Sequence, residues 1–424
     1  KDAITPVLFA DESFKNNVTT DVTSIMGEVY KYDVTYDTTK YGPGGHFVFA
    51  RSSENIANYN PSAVVTPVAA QAGAQVTQLE SLYTGFAHID KFTKFSHAQR
   101  QAMINANKYT INDLTTIKRN SIADKEQSVW AKPYTGFESI SLRGGLNVSA
   151  TSYGSIFGGD SGLIDLGKGY TGVISSFVGY NGSHLSYNGI NINNNGGVLG
   201  FTGTLYKGNF FNATTLSTGA SVANNTNMYG NEDYAMLLSG IANKAGYNYE
   251  FKEGKFIIQP SMLLSYTFVN TFDYTNAAGV RMQNDPFHSL QISPGLKFIG
   301  NFKNGWQPYL GVNMVWNIMG ETNAYANGVK LPQMSVKPYV QYGVGVQKRM
   351  KDHLMAYGQA MVQNGGRNGL ALTCGIRWSI GCKSCQKHQK VEGTKRHSDE
   401  NQNLTMVKTK SLNGEILKQV QDDR

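Results

Sequence analysis

The sequence predicts an all-β protein built on a transmembrane barrel of twelve antiparallel strands. Three observations lead to this prediction. The composition is poor in charge and rich in glycine and aromatic residues, twelve runs alternate apolar with polar residues, and the connections between these runs alternate between short and long. All three are properties of strands that close into a barrel in a membrane.

The composition replaces charge by glycine, tyrosine and neutral polar residues. Only 16% of the 424 residues are charged, below the quarter that is usual in globular domains, and the mean hydropathy is −0.33. The 46 glycines and 24 tyrosines suit tight turns, aromatic girdles and a polar lumen. No apolar run of about 18 residues occurs, so we predict no transmembrane helix.

The charge and the cysteines exclude several classes of function. Cys374, Cys382 and Cys385 all lie near the end of the sequence, so no disulfide framework is expected. The last two have CxxC spacing, but no second pair follows, and we expect neither a metal site nor any cofactor. The net charge of +8 comes without a basic helix or an aromatic RNA-binding pattern, and no nucleic-acid partner is predicted.

The twelve runs follow one another without any helical period between them. Alternation with period two indicates strands that have one apolar and one polar face. The runs are Gln127–Ser139, Ala150–Leu166, Gly169–Asn181, Gly197–Tyr206, Asn209–Ala220, Glu232–Phe251, Lys255–Asn270, Phe287–Gly300, Trp306–Met319, Ser335–Lys348, His353–Asn364 and Asn368–Ile380.

The last run shows the pattern well. Thr373 and Arg377 lie on its polar face and are predicted to point into a wet lumen. The alternate positions are predicted to face lipid, and they are Leu370, Leu372, Cys374, Ile376, Trp378 and Ile380. To close the barrel, this strand must pair with the first one near Val129–Phe137, which removes both sheet edges.

The connections supply an independent argument. Those after the even runs are short, such as Lys207-Gly208 and Lys252-Glu253-Gly254, whereas most of those after the odd runs are long. The predicted long connections are Ile140–Ser149, Ser183–Gly196, Ser221–Asn231, Thr271–Pro286 and Gly320–Met334, with Gly365–Arg367 as a short exception. Outer-membrane barrels have short periplasmic turns and long external loops.

The first third of the chain has a different pattern. Residues 1–66 are β-rich, with Tyr41-Gly-Pro-Gly-Gly45 as a turn, and we interpret them as the end of something longer. From Val68 a spacing of three and four predicts a helix of roughly 25 residues that ends near Phe95. Ser96 can cap a second helix over His97–Tyr109. The predicted divisions are 1–66, a helical linker region 67–126, the barrel 127–381 and a polar tail 382–424.

This layout resembles the C-terminal unit of the autotransporters, the type V secretion proteins. The resemblance spans roughly residues 68–380. The phrases that match are Val129-Trp130-Ala131-Lys132-Pro133-Tyr134, Gly158-Gly159-Asp160, Gly179-Tyr180-Asn181-Gly182 and Thr373-x-Gly375-x-x-Trp378-x-Ile380. Twelve strands in one chain argue against the trimeric autotransporters, in which each chain supplies four strands.

The resemblance implies a translocator that anchors and exports an N-terminal passenger to the cell surface of a diderm bacterium. It places the predicted helix in the lumen, where the apolar stripe Val76, Leu79, Tyr83 and Phe86 would contact the wall. Small residues such as Ala70 and Gly73 would give the helix room. The implied partners are outer-membrane lipid, the barrel-assembly insertase and periplasmic chaperones, and the barrel is expected to be monomeric.

The end of the last strand also resembles an assembly signal. In outer-membrane proteins the pattern carried here by Thr373, Gly375, Trp378 and Ile380 is read by the insertase. The tail after Ile380 departs from the family, which normally ends there. We interpret the tail either as a disordered periplasmic segment or as a reading-frame extension, and the latter is favoured slightly.

Two other interpretations stay open on the sequence alone. A porin-like channel would have no helix in the lumen, and a soluble β-rich binding protein would place the apolar faces in a core. Some autotransporters cut themselves within this helix, between two adjacent Asn residues or at an Asp-Asn bond. Asn105-Ala106-Asn107 and Asn112-Asp113 are nearby, but the helical region has no Asn-Asn pair, so we expect an uncleaved passenger.

No enzyme activity is predicted. Gly159-Asp160-Ser161-Gly162 spells the nucleophile motif of trypsin-like proteases, but His46, His88 and His97 lack the setting that this chemistry needs. Asp285 and His288 lie close in sequence at the base of a predicted external loop, which we interpret as a solvated loop end.

Overall fold

The computed structural model describes residues 5–9, 24–27, 29–37, 46–51, 59–86, 127–143, 146–302, 305–321, 323–331, 335–351 and 354–380. Outside these ranges lie the predicted second helix His97–Tyr109, the predicted helix end near Phe95, both residues of the CxxC pair and the tail after Gly381.

The chain begins with a small antiparallel sheet of four strands in the order β1-β4-β3-β2. Its strands are β1 Thr5–Phe9, β2 Ser24–Met26, β3 Lys31–Asp37 and β4 His46–Arg51. Tyr30 forms an isolated bridge with Tyr59, and the Asn60 amide donates to the Val29 carbonyl at 2.8 Å. These contacts hold the sheet next to the start of the helix.

Helix α1 spans Pro61–Thr84, so it begins before the predicted Val68 and ends before the predicted Phe95. The predicted start was wrong because Pro67 lies inside the helix, and an internal proline lacks the amide that a helix normally uses. Pro61 is at the first helical position, where a missing amide costs nothing. No helix of the described residues is long and apolar enough to cross a membrane.

Twelve antiparallel strands then form a closed barrel, as predicted. The barrel strands are β5 Ser128–Ser141, β6 Asn147–Asp160, β8 Tyr170–Tyr187, β9 Ile190–Lys207, β10 Phe210–Asn227, β11 Gly230–Tyr247, β13 Phe256–Thr271, β16 Phe287–Gly300, β17 Trp306–Met319, β20 Tyr339–Lys351, β21 Leu354–Gly365 and β22 Arg367–Ser379. Closure comes from the pairing of β22 with β5, in which Thr373 opposes Tyr134 and Trp378 opposes Val129.

Six short strands lie outside this ring. At the end of the barrel with short turns, β7 Ile164–Gly167 pairs with β8 and β12 Tyr249–Phe251 pairs with β13. At the opposite end the two longest connections form a separate sheet in the order β14-β15-β18-β19. These strands are β14 Tyr274–Thr275, β15 Arg281–Asn284, β18 Ala324–Ala326 and β19 Val329–Lys330. We refer to the two ends as the short-turn rim and the long-connection rim.

Two predicted long connections are tight hairpins instead. Ser183–Gly196 and Ser221–Asn231 were predicted as loops, but their residues continue β8, β9, β10 and β11 to 18 residues each. The β8–β9 turn is Asn188-Gly189, and both residues have positive φ (43° and 80°), as a type I′ turn requires. The predictions failed because the outward residues become polar here, so the apolar alternation stops while strand pairing continues.

Some strand ends also differ from the prediction. The second run was predicted to reach Leu166, but β6 ends at Asp160, and Gly162 has a φ of 69°. The sixth run divides into β11 and β12 around Asn248. The tenth strand begins at Tyr339 rather than Ser335.

Large apolar side chains form a band on the outside of the barrel. On β22, Ile376 and Trp378 are 56% and 60% exposed, whereas Arg377 between them is 5% exposed. Leu370, Leu372 and Cys374 are outward as predicted, and Thr373 lines the lumen. The apolar faces thus point away from the centre of the barrel, the reverse of a soluble β-barrel protein.

Candidate functional site: the lumen and its helix

Helix α1 runs through the lumen from one rim to the other. At its start, the Asn60 side chain donates to the hydroxyl of Tyr229 (3.0 Å), and the Tyr234 hydroxyl donates to the Thr66 carbonyl (3.3 Å). At its end, the Lys132 ammonium donates to the Thr84 hydroxyl (2.9 Å). Because Tyr229 lies in the β10–β11 hairpin and Lys132 near the start of β5, the helix starts at the long-connection rim and ends toward the short-turn rim.

Three glutamines anchor one side of α1 to polar groups of the barrel wall. Gln71, Gln75 and Gln78 are spaced by four and three residues, so they share a helix face. All three are buried. The donated hydrogen bonds run from Gln71 to the Thr271 hydroxyl (3.4 Å), from Gln75 to the Ser289 hydroxyl (2.7 Å) and from Gln78 to the Ser217 carbonyl (3.1 Å).

Small residues on α1 allow the wall to approach the helix backbone. The Asn194 side chain reaches the Ala70 carbonyl at 3.3 Å, and Asn181 reaches the Thr77 carbonyl at 3.5 Å. A Cβ added to Gly73 would lie 2.8 Å from the Leu185 side chain. The helix therefore packs against the wall without space for larger side chains at these positions. This agrees with the expectation that small residues give the helix room.

The predicted apolar stripe faces the wall. Val76, Leu79 and Phe86 are buried, and Tyr83 is half-buried. The Tyr83 hydroxyl lies 3.3 Å from that of Ser265. Phe86 belongs to an apolar cluster that includes Tyr206 and Phe211 of β9 and β10. The placement of the helix in the lumen is thus confirmed.

The helix fills only part of the lumen. It packs against β6, β8–β11 and β13. Beside it lies a cavity of about 190 Å³, which Glu80 borders from the helix together with the edges of the wall-packed rings of Tyr83 and Phe86. The wall of the cavity carries Lys132, Lys244 and Lys297, together with polar and aromatic side chains of β16, β17 and β20–β22.

The long-connection rim is covered by an apolar cluster. Val280 and Met282 of the four-stranded sheet are fully buried and belong to the same cluster as Val65 and Val68 of α1. The ring of Tyr274 stacks on Tyr234, with centroids 4.1 Å apart and an angle of 14° between the planes. Burial raises the pKa of Tyr274 well above its ordinary value, so its hydroxyl stays protonated at neutral pH.

Two buried ion pairs cross the closure between the last and the first strands. Arg367 of β22 donates to Glu138 of β5, with 2.8 Å between Nη2 and Oε1. Arg377 of β22 donates to Asp160 of β6 at 2.8 Å and also to the hydroxyl of Ser128 on β5. The alternation of the last strand predicted Arg377 on the lumen side but neither of its partners, because alternation carries no information on which side chains meet across strands.

The residues of the predicted assembly signal occupy both faces of β22. Thr373 borders the cavity and Trp378 is outward and exposed, while Ile380, which follows the end of β22 at Ser379, is also exposed. A Cβ on Gly375 would lie 2.3 Å from the ring of Tyr357, so glycine is needed for this aromatic to lie over the strand. The role of these residues in assembly stays a prediction.

The protease-like motifs do not assemble a catalytic site within the described residues. Asp160 binds Arg377, and the Ser161 hydroxyl donates to the Gly162 carbonyl (3.1 Å). His288 pairs with the hydroxyl of Tyr266 at 2.6 Å. His88 and His97 lie outside the described residues, among which no group of acidic, His or Cys side chains could hold a metal ion.

The autotransporter beta-domain family matches residues 129–360 of this chain. The chain belongs to the autotransporter family. Its barrel is an outer-membrane translocator, the unit that exports a passenger and anchors it at the cell surface.

Solved structures of the same kind are similar. The transport unit of AIDA-I from Escherichia coli superposes with a TM-score of 0.52 at 17% identity, over 68% of this chain and 100% of that one. The beta domain of the Bordetella autotransporter BrkA (TM-score 0.49, 18% identity) covers 60% of this chain and 100% of its own. The translocator domain of NalP from Neisseria meningitidis (0.48, 12%) covers 66% and 99%. No curated protein sequence matches the chain.

Proposed function

We propose that α1 remains in the pore as the permanent link between the outer-membrane barrel and a passenger whose end is residues 1–66. The observation that carries the proposal is the direction of the helix. Asn60 contacts Tyr229 at the long-connection rim, so the chain before Tyr59 leaves the lumen on that side. Since long connections of outer-membrane barrels are external, the β1–β4 sheet then stands at the cell surface.

Cysteine labelling on intact cells tests this direction. The background replaces Cys374, Cys382 and Cys385 by Ser. Thr35→Cys on β3, an exposed position, is expected to react with a membrane-impermeant maleimide on intact cells. The matched control, Lys168→Cys, lies in the short turn between β7 and β8 and is expected to react only after the cells are broken. The reverse labelling of these two positions would overturn the proposal.

The proposal also includes an uncleaved passenger. The candidate Asn105-Ala106-Asn107 and Asn112-Asp113 lie outside the described residues, and no adjacent Asn pair occurs in the helical region 67–126. A denaturing gel of the full chain is expected to show one band that reacts with antibodies against both its N-terminal part and its barrel. The barrel is a secretion unit rather than a catalyst, and any enzymatic activity belongs to the passenger.

We further propose that the barrel insertase reads the end of β22 and that periplasmic chaperones deliver the unfolded chain to it. Trp378 and Ile380 support this proposal, because both side chains are exposed and so can be recognised without disturbing the lumen. The divisions at residues 67, 127 and 382 are proposed as well. The tail 382–424 would then lie after the signal, and its removal tests whether it hinders insertion.

A porin-like channel is the alternative function that conductance distinguishes. An open channel would give a large and steady conductance in planar bilayers. The helix beside a cavity of about 190 Å³ and the apolar cover at the long-connection rim favour a small conductance instead. Deletion of residues 59–86 is expected to convert the small conductance to a large one, and an unchanged conductance would contradict the sealing role of α1.

A further inference from the structure

Three lysines stand over aromatic rings on the outer surface of the barrel. In each pair both side chains are on the outward face, where the aromatic ring belongs to the apolar band. The distances from Nζ to the ring centroid are 4.6 Å for Lys207 and Tyr170, 4.2 Å for Lys348 and Trp306, and 5.9 Å for Lys252 and Phe256. These are cation–π distances.

All three pairs lie at the short-turn rim. Lys207 ends β9, Trp306 begins β17, and Lys252 is in the turn before β13. At the other rim the outward polar pairs are of a different kind, such as Asn224 with Asp233. Among the described residues of that rim, no lysine or arginine stands over an outward aromatic ring.

The chemistry of these pairs fits a lipid headgroup that carries a net negative charge. Interfacial aromatic rings lie at the level where acyl chains end, and a lysine stem extends along the ring so that its ammonium reaches the phosphate level. The Lys207 ammonium donates one hydrogen bond to the Tyr170 hydroxyl (3.0 Å), and an ammonium has three donors. A lysine ammonium that lies over an aromatic ring therefore still has donors for a phosphate oxygen.

We propose that these lysine–aromatic pairs form a basic girdle that binds anionic phospholipid headgroups in the leaflet on the short-turn side. The girdle would hold the barrel at a fixed depth and select phosphatidylglycerol-type lipids over zwitterionic ones. One basic residue near an anionic membrane surface corresponds to a preference of roughly fivefold.

The fluorescence of Trp306 can report on lipid binding at the pair of Lys348 and Trp306. The full chain is prepared in two single-tryptophan forms, one keeping Trp306 and the other keeping Trp316, with phenylalanine at the remaining tryptophans. Trp316 is the matched control because it is outward on the same strand, 39% exposed like Trp306, but near the opposite rim. Each form is reconstituted in vesicles that contain a fixed share of either brominated phosphatidylglycerol or brominated phosphatidylcholine, and fluorescence quenching is compared.

We expect brominated phosphatidylglycerol to quench Trp306 more strongly than brominated phosphatidylcholine does, and the two lipids to quench Trp316 equally. Lys348→Gln is expected to remove the preference at Trp306, whereas Lys330→Gln, an exposed lysine on β19 at the long-connection rim, is expected to leave it. Equal preference at both tryptophans would show that there is no rim-specific site and would overturn the proposal. Retention of the preference in Lys348→Gln would overturn it as well, and the intact barrel is verified in each case by its heat-dependent gel migration.

Discussion

The guanidinium of Arg377 on the last barrel strand lies 2.8 Å from the carboxylate of Asp160 on the second, so this ion pair reaches across the whole of the first strand. Both side chains are almost fully buried. Ser128 of the first strand donates to the same Asp160 oxygen, and the three strands at the closure are therefore joined by one polar network.

Replacement of Arg377 by Met is expected to weaken the barrel strongly. It leaves the buried carboxylate of Asp160 without this partner, and such losses cost about 3 to 5 kcal/mol. Reversible urea unfolding in lipid vesicles measures the change. The double variant Arg377→Met/Asp160→Asn should recover part of the loss because it no longer buries the charge.

The matched control for this experiment is Arg281→Met. Arg281 also pairs with an acid, Asp273, but both side chains are well exposed. Exposed pairs contribute about 0 to 1 kcal/mol, so the control should unfold almost like the parent chain. A loss at Arg281 as large as that at Arg377 would refute the role assigned to burial.

A larger residue at Gly73 is expected to displace the helix from the wall. A Cβ there already meets Leu185 and Ser183 at 2.8 Å, and Gly73→Leu adds three more carbon atoms in the same space. Overpacking of this kind costs about 1 to 3 kcal/mol. Planar-bilayer recordings should show more frequent large-conductance openings, while Glu80→Gln on the cavity side should leave the recordings nearly unchanged.

A second test of how α1 is held in the lumen removes hydrogen bonds instead of enlarging a side chain. Gln75→Ala/Gln78→Ala removes the hydrogen bonds to Ser289 and Ser217, and each lost bond costs about 0.5 to 1.5 kcal/mol. Because the helix would be held less firmly, hydrogen exchange of α1 should become faster while that of β17 stays the same. Unchanged exchange in α1 would mean that these bonds do not hold the helix.

Trp378→Ala is expected to reduce the amount of barrel in the outer membrane without lowering the stability of the barrels that do insert. Trp378 is 60% exposed on the outer face, so its loss removes little packing. Trp316→Ala is the control, because Trp316 is outward on β17 and lies outside the proposed signal. Equal membrane levels for the two variants would count against a signal at the end of β22.

The sequence predicted best those strands that lie within the apolar band. β16 and β17 were predicted at their observed bounds, Phe287–Gly300 and Trp306–Met319, because apolar alternation marks such strands and turn residues delimit them. Beyond the band this signal is lost. Asn191, Asn193 and Asn195 continue β9 on its outer face, where polar residues meet water, and period alone cannot distinguish them from a loop.

Two local signals could have corrected these predictions. Asn188-Gly189 is a strong hairpin signal, and it would have placed the β8–β9 turn within the predicted loop. Asn60-Pro61 would have marked the start of α1, but Pro67 concealed it. Two features could not be predicted from the sequence, because their residues are brought together only by the tertiary structure. They are the apolar cluster at the long-connection rim, with Tyr234 on Tyr274, and the ion pairs at the closure, such as Arg367 with Glu138.

The direction of α1 has a mechanical consequence. If residues 1–66 are at the cell surface as proposed, a force that pulls them away from the cell acts on Tyr59 and is directed along the helix, because Asn60 contacts the long-connection rim and Thr84 contacts the wall toward the short-turn rim. The bonds of Gln71, Gln75 and Gln78 to the wall are then loaded together in shear rather than opened one after another. In the proposed orientation, the same contacts that hold α1 in the lumen would therefore resist a pull on the passenger.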